Sequence, residues 1–281
     1  MKKTIAIIVF AIVAFGFTTQ LSAQAALDKN PNEGLYEQNA TGFQRPMAYT
    51  SIREADVMWR KRIWREIDFR QKMNQVFFYP TETHYNWTNF ITILMEAMKS
   101  GEIQAYQVDP QKDQLDTPYR YDAIKDQYFE KPEVDDDGNP VLDKETGEPL
   151  IKKTYDVVKK LRIMEDWYFD KQRSELKVQI LAICPTMVDE GGNSEGLFWV
   201  SYNHNTREIL AKSNFFNSAN PGAPKNYDEI FMKRMFDSYI YKEENPYDRK
   251  INHYAQGEAA LWESERIKQE IIDFEQNLWE Y

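Results

Sequence analysis

Between residues 51 and 74, SIREADVMWRKRIWREIDFRQKMN, the apolar positions Ile52, Ala55, Trp59, Ile63 and Ile67 recur at steps of three and four. Side chains at that spacing share one stripe of a helix, so the pattern predicts a helix over the whole stretch. Ser51, followed three residues later by Glu54, adds a capping-box signature at its start. Asp56 and Arg60, Glu66 and Arg70, and Asp68 and Lys72 form acid-before-base pairs at i,i+4. Each such pair adds about 0.2–0.5 kcal/mol to a helix. Arg53, Lys61, Arg62 and Arg65 have no acid four residues before them, and Trp64 points away from the apolar stripe. Two readings of that face stand side by side: arginines paired elsewhere in the same chain, or a docking face of the kind that Trp and Arg dominate.

The pattern changes repeatedly downstream. Residues 26–50 carry Asn, Gly and Pro with few apolar residues between, which predicts an extended arm. Residues 76–79 form a short apolar run stopped by Pro80 and predict a strand. A second amphipathic helix is predicted over 87–99, with Phe90, Ile91, Leu94, Met95 and Met98 inward and Gly101 just past its end. Residues 103–108 predict a strand. The stretch from 109 to 153 is the least patterned, and its acidic part at 130–153 predicts an exposed hairpin or flexible insert. Residues 161–169 and 175–183 flank a polar turn and predict a hairpin, with further strands at 196–202 and 209–216. A helix begins at Asn226, with Asp228 and Glu229 placed favourably in its first turn, and 239–241 reads as a strand. From near Gly257 to the C-terminus, Ala260, Ser264, Ile267, Ile271, Phe274, Leu278 and Tyr281 alternate steps of four and three in a heptad-like seam. The sum is an α+β fold: an antiparallel sheet with amphipathic helices, a long helix near the start and another at the end. Residues 51–281 read as a single domain.

The first 25 residues stand apart. Lys2 and Lys3 precede an apolar run at 5–17, and a small-residue exit contains Ala23-Gln-Ala25. This layout predicts a signal peptide cleaved after Ala23 or Ala25, its core too short for the roughly 20 residues that span a bilayer. Setting residues 1–25 aside takes the formal charge from −10 to −12. An acidic exported chain argues against nucleic acid as a partner. Cys184 is the only cysteine, so no disulfide forms within the chain, and ILAICP reads as its buried apolar setting. Charge also divides along the sequence, at +3 over residues 51–73 and −5 over 257–281. Two oppositely charged amphipathic helices suit packing within one chain or a head-to-tail contact between neighbours in a ring. The candidate interface is therefore Arg53, Lys61, Arg62, Trp64 and Arg65 on the opening element, with Ile267, Ile271, Phe274 and Leu278 on the closing seam.

Catalytic constellations are sparse. His84, His204 and His253 are too scattered for a helical metal-ligand pair. Asp135, Asp137 and Gly138 suggest a calcium loop, but the twelfth position holds Lys144, with Glu145 one residue late. The strongest enzymatic alternative is a carbohydrate-binding or glycoside-hydrolysing envelope protein built on Glu165, Asp166 and Trp167.

The runs IREADVMWRKRIWREIDFRQKMN, FFYP, GEIQAY, DEIFMKRMF, SYIYKEENPYDRK and WESERIKQEIIDFEQNLWEY, in that order, resemble the GldN/PorN family of gliding-motility and type IX secretion proteins. The resemblance implies a noncatalytic periplasmic subunit with no cofactor and no membrane span of its own. It further implies self-association in a ring beneath the outer membrane with a GldK/PorK-like lipoprotein, and the periplasmic part of a GldM/PorM-like protein as another partner.

Overall fold

In the computed structural model of the chain, residues 45–46, 48–81, 87–109, 115–132, 151–153, 155–189, 191–192, 194–215 and 225–278 are described. All belong to one unit, Gln44–Tyr281. The arm up to residue 44, Ala23 and Ala25, His84, and the calcium-like residues of the insert lie outside them.

The opening helix is absent. A 3-10 turn at Glu54–Asp56 leads straight into a strand, β1, Val57–Asp68. Trp59, Ile63 and Ile67 stand four apart, and a step of four returns to the same face in a strand as it does in a helix. Only Ile52 and Ala55 favoured the helical period, and both precede the strand. Val57, Trp59, Ile63, Trp64 and Ile67 are β-branched or aromatic and suit a pleated, half-buried surface. The acid–base pairs expected along a helix do not form: Arg60 pairs far along the chain, and Asp56 and Asp68 hold near neighbours, Arg53 and Arg70, instead. Arg60 reaches Asp166 and Glu244, each at 3.0 Å, and Asp56 holds Arg53 at 2.8 Å.

Further elements follow: α1 Phe90–Lys99, β2 Ala105–Tyr106, β3 Pro118–Tyr119 and α2 Tyr121–Ile124, prolonged by a π-helical turn at Lys125–Phe129. Next come β4 Glu130–Pro132, β5 Ile151–Lys153, β6 Val158–Asp170, β7 Glu175–Val188, β8 Ser194–Gly196 and β9 Trp199–Ser201. The chain closes with α3 His204–Lys212, β10 Asn214–Phe215, β11 Lys225–Asn226, α4 Tyr227–Met232, β12 Tyr239–Glu243 and α5 Glu258–Asn277. The main sheet is antiparallel in the order β12-β1-β6-β7-β9-β2-β3, with β8 added to β7. The predicted hairpin is its centre, in longer form: β6 and β7 pair from Val158 opposite Met187 to Asp170 opposite Glu175. β4 and β5 pair with each other at the two ends of the acidic insert.

Three other expectations shift. Residues 76–79 give no strand; a 3-10 turn occupies Asn74–Phe77. The strand expected at 103–108 shrinks to β2. The strand expected at 209–216 is α3 in its first half and keeps only the short β10, because Asn203 accepts the Thr206 N–H at 3.0 Å and caps a helix there. Thr206, Arg207, Leu210 and Ala211 then bury at helical spacing. The Ser51–Glu54 capping box fails with the opening helix, its 3-10 turn having no side-chain cap, but two other terminal signals hold. Asn226 accepts the Glu229 N–H at 2.8 Å to start α4. Gly101, at φ +78°, ends α1 in a Schellman motif, its N–H and that of Glu102 returning to Met98 and Ala97 at 3.1 Å.

One sheet face carries the main core, where Ile67, Phe69, Leu161 and Ile163 meet Phe90, Leu94, Tyr227 and Phe231 of α1 and α4. Further along the same face, α5 lays Ile267 and Ile271 onto Ile63, Ile240 and Ile251, and Phe274 stacks on Trp59 at 4.6 Å. The heptad-like seam thus meets the chain's own sheet. Ser264 Oγ accepts the Ile240 N–H at 2.8 Å, which occupies a donor on the edge strand β12. On the opposite face, Trp64, Met164, Ala182, Cys184 and Trp199 form a smaller cluster. No described helix is long and apolar enough to cross a membrane.

Candidate functional site

Strand alternation sends neighbouring residues of β1 to opposite faces, so the predicted interface residues do not form one surface. Trp64 was expected to point outward, but only 5% of it is exposed. The Lys242 ammonium, itself paired with Asp248 at 2.6 Å, lies 4.5 Å from the Trp64 ring centre. Arg65, on the other face, is buried; its Nε lies 3.3 Å from Glu165, out of line for a hydrogen bond, and Nη1 donates to Ser238 at 3.2 Å. Burial holds the Arg65 pKa below its usual value, against the pull of Glu165. Arg62 forks onto Asp166 at 2.6 and 2.9 Å, and Lys61 pairs with Glu243 at 2.8 Å and Glu270 at 3.5 Å. Arg53 remains exposed. Ile267 and Ile271 are buried under α5, with Phe274 and Leu278 half-buried beyond them.

The glycosidase-like trio is likewise divided. Glu165 is fully buried and takes Arg234 at 2.9 Å and the Trp167 indole N–H at 3.0 Å. Asp166 lies on the other face of β6 with Arg60 and Arg62. The two carboxylates therefore share no cleft in which one could act as acid and the other as base. His204 and His253 lie on separate elements, α3 and a 3-10 turn.

The densest polar site is one that sequence reasoning missed. Glu66 from β1 accepts from Lys160 Nζ at 2.7 Å, Arg162 Nε at 3.0 Å and Ser194 Oγ at 3.2 Å, and also from the Tyr239 hydroxyl. Register explains the convergence, since β6 sets Arg162 opposite Glu66 and Lys160 opposite Asp68, and β12 adds Tyr239. Burial alone would raise the Glu66 carboxyl, but hydrogen bonds from Lys160 and Tyr239 and the charge of Arg162 hold it below the usual carboxylate value. The Tyr239 hydroxyl is pushed up, by burial first and by Glu66 second. These groups floor a cleft of about 270 Å³ whose walls include Lys250, Asn252 and Leu261. Arg162, Ser194 and Lys250 also line a neighbouring cleft of about 360 Å³.

Beside the cleft lies an exposed aromatic rim. Trp262 is 69% exposed, Leu261 57%, Tyr254 48% and Tyr247 74%. The Arg249 guanidinium sits over both tyrosine rings, at 4.6 and 5.7 Å. Tyr254 donates to Glu263 of α5 at 3.3 Å, which ties the loop to the helix. The sequence did hold a signal for this rim: the seam through Ala260, Ser264 and Ile267 leaves Leu261 and Trp262 as apolar residues off the buried face. Exposed Trp, Tyr and Arg held in one patch suit protein–protein contact.

The family model described as "Gliding motility associated protein GldN" matches residues 52–280. No curated protein matches the chain.

Proposed function

Because the chain belongs to the GldN family of gliding-motility-associated proteins, we propose that it is a noncatalytic structural subunit of the type IX secretion and gliding apparatus. In this reading it works in the periplasm after removal of its signal peptide. There it associates with a GldK/PorK-like outer-membrane lipoprotein and with itself in a ring, and it meets the periplasmic part of a GldM/PorM-like protein. The observation that carries the reading, beyond the family, is the exposed rim at the start of α5 and in the loop before it. It offers Trp262, Tyr254 and Leu261 to a partner while the seam on the other side of the same helix holds the fold together. The carboxylates Glu66, Glu165 and Asp228 support it too, since each is engaged by cations of its own chain.

The test is the paired substitution Trp262→Ala and Tyr254→Ala in the full chain, co-expressed with the lipoprotein partner. Both residues are exposed, so the melting temperature should stay within about 2 °C of wild type. Recovery of the complex should fall at least tenfold. Undiminished recovery would remove the rim from the assembly.

A further inference from the structure

The Glu66 cluster is one negative charge short of balance. Glu66 supplies one negative charge, and Lys160 and Arg162 supply two positive ones. Both residues are buried, with side chains 10% and 11% exposed. Lys160 spends its donors on Glu66 at 2.7 Å, Ser194 at 2.9 Å and Tyr239 at 3.5 Å. Arg162 uses Nε on Glu66 and Nη2 on the Ser194 carbonyl at 2.7 Å. Its Nη1 has no hydrogen-bond partner among the described residues. A guanidinium carries five donors in a fixed fork, and a buried one that keeps Nη1 unused is poised for an acceptor. The Tyr241 ring, 4.9 Å from the guanidinium carbon, helps fix its plane.

We propose that the cleft receives an acidic side chain from a partner polypeptide, its carboxylate bound to Nη1 of Arg162 with Lys250 on the wall. A carboxylate brings the single negative charge that balances Glu66, Lys160 and Arg162. Within an acidic chain this locally positive cleft selects an anion by contrast with its surroundings. The polypeptide is favoured over a free anion by Leu261, which lines the cleft and is 57% exposed, and by Trp262 beside it. Together they offer apolar contact to the residues flanking the acid. Taking the ligand to be a polypeptide rests on the assembly role proposed above; the charge argument does not.

The experiment is selection of capped random hexapeptides on the full chain, followed by titration of the recovered peptides and of inorganic phosphate at fixed ionic strength. Recovered sequences should share Asp or Glu next to Leu, Ile or Phe, and Gln or Asn in place of the acid should weaken binding at least tenfold. Arg162→Lys keeps a cation beside Glu66 but removes Nη1, and should weaken binding by a similar factor. Leu261→Asp, at an exposed position that leaves the fold unchanged, sets a negative charge at the mouth of the cleft and should do the same. Acidic peptides that bind both variants as tightly as wild type would overturn the proposal. So would recovered peptides lacking an acid, or phosphate binding with no acidic peptide recovered. Loss of peptide binding in Arg162→Lys with the complex of Trp262→Ala intact would keep this inference and sink the assembly role of the rim. The reverse result would do the opposite.

Discussion

Glu66 concentrates the chemistry of this chain at the residue scale. Its folded-state pKa is lowered, so the stability it confers is present above the ordinary carboxylate range, about 4, and is lost as pH falls through the folded value. Urea denaturation from pH 7 down to pH 3 should show that acid loss in wild type and a flatter profile in Glu66→Gln. Glu66→Ala leaves Lys160 and Arg162 buried without their carboxylate and should cost about 3–5 kcal/mol near neutral pH. Trp64→Ala should cost about 3–5 kcal/mol as well, because the ring is buried against Met164 and Trp199. A loss below about 1 kcal/mol in urea denaturation would return Trp64 to the surface. Little of this was legible in the sequence. Glu66, Lys160, Arg162, Ser194 and Tyr239 lie on four strands, and only strand register brings them together.

Elements were legible where one local signal decided them. Asn226 and its acidic first turn gave α4, Gly101 gave the end of α1, and the polar turn between β6 and β7 gave the hairpin. β1 was hidden because Trp59, Ile63 and Ile67 satisfy both periods, and the choice came from pairing with β6 and β12, which lie far along the chain. The seam of α5 was read as a packing face whose partner stayed open between a neighbouring chain and its own, since nothing local separates a neighbouring helix from the chain's own sheet. Deleting residues 261–281 should therefore uncover Trp59, Ile63 and Ile240 and unfold the domain, seen as loss of the cooperative thermal transition. A truncated chain that stays folded would show that α5 is dispensable to the core. Ser264→Ala is the milder form of the same test. It leaves the Ile240 N–H unpaired, for about 1–3 kcal/mol in urea denaturation.

For the whole molecule, β1 is a twelve-residue strand paired with β6 along nearly all its length, while α5 is held to the sheet chiefly by Ile267, Ile271 and Phe274. These two attachments answer a mechanical load differently. Tension along β1 acts across ladder hydrogen bonds that run perpendicular to the strand, so many share the force at once. Tension that lifts the C-terminal end of α5 meets its contacts in succession, Phe274 on Trp59 before Ile271 and Ile267. A molecule pulled through that end should therefore yield in two steps, a helix peeled at low force and then a sheet that shears at high force. The C-terminal half of α5 is the compliant part, and the strands beneath it, with the rim at the helix's opposite end, are the stiff part that keeps its shape under strain.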